Sequence, residues 1–314
     1  MTGVQTCALP ISPSAAGAGN VSLTSSGAAS DIRINGNVQA TNVGLSAGTF
    51  AININSGRDV NIGNANLAAN TSGGISLTAA GAISYDNAAV GNTTNTLTAV
   101  GNVNLTAGGT IARNGSSPGN NDFLSIAGAK VTVGAGGAFV MLGPLNANAG
   151  NLDVTAAGAL TTSGPAATAT GNLTLTSTGA SVTSDVLSAG GGVTINAVTG
   201  IAENGGISAG GVITMINSGG TSDVAINGNL ATTIASLAPT QAGINVNSGR
   251  DITIANANLA ANNSGGIALT SAGAINYNNA AVGNTTNSLA AVGNVSLTAG
   301  GTIARNGSSI GNND

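Results

Sequence analysis

Asp185, Glu203 and Asp223 follow one another at steps of 18 and then 20, close to the spacing of a short motif that recurs along the chain. If successive repeats stack, that spacing lines the three carboxylates into a vertical strip. An acidic strip suits a cation, or an acid/base pair for glycoside cleavage, whose two carboxyl groups must lie within about 5 to 10 Å. The plainer reading is three solvated turn carboxylates. It is preferred because no Lys or Arg lies close by in sequence to complete a lyase site. Asp31, Asp59, Asp86, Asp122 and Asp153 follow at longer steps and are not expected to stack simply. Arg58–Asp59 and its copy Arg250–Asp251 read as a turn salt bridge or a solvated pair, with a repeated ligand contact as the alternative. Arg113 and Arg305 take the same bland reading.

Composition removes most other chemistry. The chain has no His and a single Cys, Cys7. A Ser–His nucleophile, a thiol enzyme and a Cys/His zinc site therefore all lack partners. Calcium-binding nonapeptide repeats need Asp in every glycine-rich turn, and AGGG (Ala189 to Gly192) carries none. No catalytic residue, cofactor or metal is expected, and the chain is read as a non-enzyme. The net charge of −4 comes without any run of Lys or Arg, which argues against a nucleic-acid partner. No stretch approaches the roughly 18 consecutive apolar residues of a membrane-spanning helix. Sequons such as Asn20-Val21-Ser22 and Asn172-Leu173-Thr174 would accept sugar on an exported chain, but Asn, Ser and Thr are common enough here to produce them by chance.

The elements that position these residues are legible in the pattern. Fifty glycines, 5% charged residues and 42% hydrophobic content describe neither an ordinary domain nor a disordered polyelectrolyte. A motif of Gly, often Asn, then apolar–polar–apolar and often Thr recurs as GNVSLT (Gly19 to Thr24), GNVNLT (Gly101 to Thr106), GNLDVT (Gly150 to Thr155) and GNLTLT (Gly171 to Thr176). Val131, Leu152, Leu173, Val193 and Ile213 head successive motifs at near-constant steps, whereas the step from Ile75 to Val103 is longer. Rungs of unequal length or extra loops must therefore intervene. The alternation is that of a strand with one buried face. It predicts that Ile52/Ile54, Val60/Ile62, Ile75/Leu77, Val193/Ile195 and Ile244/Val246 point inward. Asn35–Gly36, Asn114–Gly115 and Asn204–Gly205 are expected to supply positive φ at corners. The fold class that follows is all-β: a parallel β-helix (β-solenoid) of about 20 residues per coil, on the order of 15 coils in all.

A larger duplication overlies this period. Residues 17–122 align without a gap with 209–314 at an offset of 192, and 123–208 are intervening coils. From Ile54 to Asp122 the copies differ at 13 of 69 positions. Asp314 aligns with Asp122, which is followed by Phe123 to Ile126, so the intact frame is expected to continue with a sequence close to FLSIAGAKVTV. At the other end, Met1–Ile11 resembles a translated sequencing adapter, matching one reading frame from Thr2 to Ile11. It is set aside from fold reasoning, and residues 12–314 are read as one continuous solenoid fragment.

In SGRDV-I (Ser56 to Ile62), NLAAN-SGGI (around Leu67) and GNVNLTAGGTI (Gly101 to Ile111), the chain resembles the filamentous-haemagglutinin-like exoproteins of two-partner secretion systems. The resemblance covers essentially everything after Ile11. It implies a right-handed parallel β-helix, export through a partner outer-membrane transporter, a secreted or cell-surface location, and a role in adhesion or biofilm. Host-cell or surface glycans or proteins would be the partners. Two other functions are weighed: a carbohydrate-active β-helix, which needs clustered acids and a groove, and an ice-binding solenoid, suggested by Thr94/Thr96 and Thr174/Thr176.

Overall fold

The computed structural model describes residues 9–11, 15–17, 19–86, 94–113, 123–278 and 287–305. Cys7, Asp122, Asp314 and the Asn114–Gly115 step lie outside these residues, as do the side chains of Asp86 and Thr94. The described residues contain strands and no helix, so none of them forms a helix long and apolar enough to cross a membrane. Two compact units divide the chain, Met1–Gly158 and Ala159–Asp314.

In the first unit, one turn of chain runs through Ile32–Ile34 in sheet A, Val38–Ala40 in sheet B and Phe50–Ser56 in sheet C. The chain then returns to sheet A at Val60–Gly63, parallel to Ile32–Ile34 and in register, Ile32 against Val60 and Ile34 against Ile62. Parallel strands need a long crossover, and here the remainder of each turn provides it. The second unit repeats the plan, with Leu160–Ser163, Ala167–Ala169 and Leu173–Ser177 followed by Val182–Ser184 stacked on the first of these. Both units are parallel β-helices with three strands per turn.

The apolar–polar alternation sets which side chains enter the core. In sheet C of the first unit, Ile52, Ile75, Val103, Val131 and Leu152 stack one above another, all fully buried. Sheet A adds Ile32, Val60, Ile83, Ile111 and Phe139. Burial of each such side chain contributes about 1.5–3 kcal/mol. No single coil encloses them, so this contribution exists only between neighbouring coils. Every inward pair expected from the alternation is buried, Val193/Ile195 and Ile244/Val246 included.

The turns are short where the motif spacing is regular, with equal steps from Leu173 to Val193 and from Val193 to Ile213. Elsewhere they lengthen, as from Val21 to Ile52, from Ile52 to Ile75 and from Ile75 to Val103. The first of these longer turns carries an extended connection between Val38–Ala40 and Phe50–Ser56. Among the described residues, each sheet of the first unit has six strands and those of the second six or seven. Three strands per coil of roughly 20 residues is the repeat the motif spacing predicted.

Leu9–Ile11, within the segment set aside on sequence grounds, pairs as a strand in register with Ile32–Ile34. One local expectation is corrected. The Asn35–Gly36 and Asn204–Gly205 steps do not adopt positive φ. Near the latter, the left-handed residue is Gly206, at φ +94°. Gly205 is required for space instead, because a Cβ there would stand 2.3 Å from the Val186 nitrogen. Among the described residues, the non-glycine ones with positive φ are Asn64 and its copy Asn256, a residue type that tolerates this region.

Candidate functional site

The three acids of the expected strip take three separate roles. Glu203 ends the sheet A strand Ile201–Glu203 and pairs in register with Ser184 below and Ile226 above. Its side chain is buried. One carboxylate oxygen accepts the N–H groups of Gly205, at 3.0 Å, and Gly206; the other accepts that of Gly228 at 3.1 Å. Burial pushes its carboxyl above the ordinary value, outweighing the three backbone donors, and Asp185 adds to the rise. Asp185 lies at the corner of the coil below and accepts the Gly164 N–H at 2.8 Å. Asp223 immediately precedes Val224, which pairs with Ile201, so it sits at the opposite end of the sheet A strands from Glu203. The strip is thus split, with Asp223 at one edge of the sheet and Glu203 at the other. Among the described residues, no three His, Cys, Asp or Glu side chains group to hold a metal ion.

Asp223 instead belongs to an arrangement that sequence reasoning missed. Arg250 donates to it through Nε at 2.6 Å and through a second guanidinium nitrogen. Asp223 also accepts the Asp251 N–H at 3.2 Å, and Asp251 in turn accepts the Ala274 N–H at 2.6 Å. The first copy repeats this. Arg58 forks onto Asp31, Asp31 accepts the Asp59 N–H at 3.3 Å, and Asp59 accepts the Ala82 N–H at 2.7 Å. Asp31 and Asp59 therefore occupy successive coils, contrary to the expectation that these acids do not stack. The coil here, from Ile32 to Val60, has the same length as the step between them. The sequence neighbours Arg58 and Asp59 make only the looser contact, Nε to Oδ2 at 3.5 Å. Each guanidinium holds its carboxyl partner below the ordinary carboxylate value, so neither Asp31 nor Asp223 serves as a proton donor near neutral pH. The equal steps from Asp31 to Arg58 and from Asp223 to Arg250 were the available signal.

Outward from this corner, sheet A of the first unit carries a polar cleft of about 330 Å³. Asp31 and Asp59 border it, and Asn61, Ser84 and Ala112 line its floor in register. Arg33 and Arg113 also line it. The Asn61 amide donates to the Ser84 hydroxyl at 3.0 Å. Arg33 is exposed and forms no ion pair among the described residues.

The outward face of sheet C carries Thr174, Thr194 and Thr214 in register on consecutive coils. Asn245 and Ala268 continue that rank, and the adjacent one reads Thr176, Asn196, Ile216. A regular threonine lattice is interrupted in both. Asn172, in one of the sequons, uses its carbonyl oxygen to accept the Gly192 N–H at 2.8 Å. No protein-family model, curated protein or solved structure matches the chain.

Proposed function

We propose that the chain is a structural rod segment of a large secreted bacterial surface adhesin or exoprotein of the filamentous-haemagglutinin kind. It would make weak multivalent contacts for adhesion or biofilm and carry no catalytic role. Host-cell or surface glycans or proteins are its proposed partners, with an outer-membrane transporter acting during export. One observation carries the reading: between the two copies the interior persists while the outward face drifts. Ile62/Ile254 and Ile83/Ile275 are identical buried pairs, and Val60/Ile252 remains aliphatic. On the outer face of the same sheet, Arg33/Ala225, Asn61/Thr253 and Ser84/Asn276 all differ. A stacked spacer needs its interior constant and leaves its surface free to vary.

The test is adherence of beads coated with the chain to epithelial monolayers and to abiotic surfaces, against beads coated with heat-unfolded chain. Adherence above that control is expected, and equal adherence refutes the reading. Incubation with acidic polysaccharides is expected to release no new ends; turnover would replace the reading with a carbohydrate-active one. Thermal hysteresis is expected to be nil, and a measurable gap would favour an ice-binding solenoid.

A further inference from the structure

We propose that Asn204 is a self-modification site: the Asn204–Gly205 step converts to aspartate through a succinimide, with Glu203 as base and the Asn227 amide steadying the reacting carbonyl. The corner after the sheet A strand Ile201–Glu203 brings these parts together. The Gly205 N–H donates to a Glu203 carboxylate oxygen at 3.0 Å, and the Asn227 side-chain amide donates to the Asn204 side-chain oxygen at 2.9 Å. The attacking nitrogen is thus already hydrogen-bonded to a base, and the attacked carbonyl to a donor placed where charge develops. Asn204 and Gly205 are both exposed, so water reaches the step.

The reaction balances with water as its one co-reactant. Glu203 takes the Gly205 amide proton as that nitrogen bonds to Cγ of Asn204. Negative charge develops on the Asn204 side-chain oxygen, facing the Asn227 amide. The tetrahedral centre then collapses. The bond from Cγ to the side-chain nitrogen breaks, and the proton held by Glu203 leaves with that nitrogen as ammonia. Water adds to the cyclic imide and opens it to aspartate or isoaspartate, with no change of oxidation state. Burial and the neighbouring Asp185 raise the Glu203 carboxyl above its ordinary value, which strengthens it as a base. Packing keeps the reactive step in place, because a Cβ at position 205 would stand 2.3 Å from the Val186 nitrogen.

The chain carries its own controls. Gly228 also donates to Glu203, at 3.1 Å, but Asn227 gives its amide to Asn204, and its own side-chain oxygen receives no donor among the described residues. Asn204 is therefore the reactive member of the pair. Asn35–Gly36 is the copy of Asn227–Gly228. In the coil below it, Ile11 pairs with Ile34 where Glu203 pairs with Ile226. An isoleucine offers no base, so Asn35–Gly36 is an asparagine–glycine step without the carboxylate.

This is a reaction of the chain on itself, independent of the adhesin reading. The experiment incubates the folded full chain at neutral pH and body temperature, and follows each asparagine–glycine step by tandem mass spectrometry for ammonia loss, aspartate and isoaspartate. Asn204 is expected to convert about tenfold faster than Asn35, or more. The gap should close in urea, where the three groups separate. Asn227→Ala, at an exposed position, should slow Asn204 severalfold at an unchanged melting temperature. Glu203→Gln should bring Asn204 down to the Asn35 rate; if that variant fails to fold, the Asn227→Ala and urea comparisons decide. Conversion of Asn204 no faster than that of Asn35 in the folded chain, a gap that persists in urea, or a rate unmoved in the folded variants would overturn the assignment.

Discussion

Replacing Glu203 isolates the energetic role of one buried carboxylate. In Glu203→Ala, the N–H groups of Gly205, Gly206 and Gly228 lose the acceptor they share. A buried donor left without a partner costs about 1–3 kcal/mol. Three donors at the low end give about 3 kcal/mol. Relief from burying a charge whose carboxyl is already pushed upward offsets part of this, so a net loss of about 2–3 kcal/mol is expected. Glu203→Gln keeps one carbonyl oxygen for two of the donors but turns an amide N–H toward the third, and should cost less, about 1–2 kcal/mol.

The pH dependence has a definite sign. A carboxyl raised on folding binds its proton more tightly in the native state. Its contribution is therefore full below the free value of 4.5 and declines as pH rises through the higher folded value. The advantage of the parent chain over Glu203→Gln should accordingly shrink with rising pH across that window and then level off. Urea denaturation followed by far-ultraviolet circular dichroism measures both effects. If Glu203→Ala lies within about 0.5 kcal/mol of the parent, less than the ordinary cost of even one lost partner, the reasoning is refuted. So would it be by an advantage over Glu203→Gln that grows with pH.

Three further perturbations use the internal duplication or neighbouring positions as controls. Asp31→Asn should lower the melting temperature at pH 7 and match the parent well below the free carboxyl value of 3.8, because a carboxyl lowered by Arg58 contributes above that value and is lost as pH falls; an equal difference at both pH values would contradict this. Gly136→Ala places a Cβ 2.1 Å from the Gly108 carbonyl oxygen, whereas Gly134→Ala meets nothing within 4 Å. The first should cost about 1–3 kcal/mol and the second about zero, as read by thermal melting. Tyr85→Phe removes a buried hydroxyl that donates to the Val140 carbonyl at 3.3 Å and accepts the Leu142 N–H at 3.0 Å. It should cost about 1–3 kcal/mol, while Tyr277→Phe, at a position 38% exposed, should leave stability nearly unchanged; equal effects would remove the distinction between the copies.

Much of the interior was legible before any coordinates. Side chains on a strand alternate faces with a period of two, so Ile52/Ile54 and Val193/Ile195 declare their inward direction locally, and both pairs are buried. The glycine-marked motif likewise announced stacked coils. The candidate site was far less legible. The set Asp185, Glu203 and Asp223 was assembled by assuming one pitch, but the turn from Val21 to Ile52 is half as long again as that from Val193 to Ile213. Asp223 and Glu203 stand at opposite ends of paired strands. Arg58 reaches its sequence neighbour Asp59 at 3.5 Å as a turn ion pair, but its fork lies on Asp31, one coil below, which the sequence did not announce. The positive φ expected at Asn204–Gly205 falls instead on Gly206.

Sequence alone determined that this chain forms short strands, which residues of each strand face inward, and that the pattern is duplicated. All three follow from neighbours one or two positions apart, or from direct comparison of letters. Tertiary structure decided which charges meet and how deeply a given residue is buried. Glu203 is fully buried, whereas Asp223, in the neighbouring coil, is only half-buried. In a stacked fold, burial and pairing belong to the coil above and below, and the lengths of the intervening loops choose which residues those are.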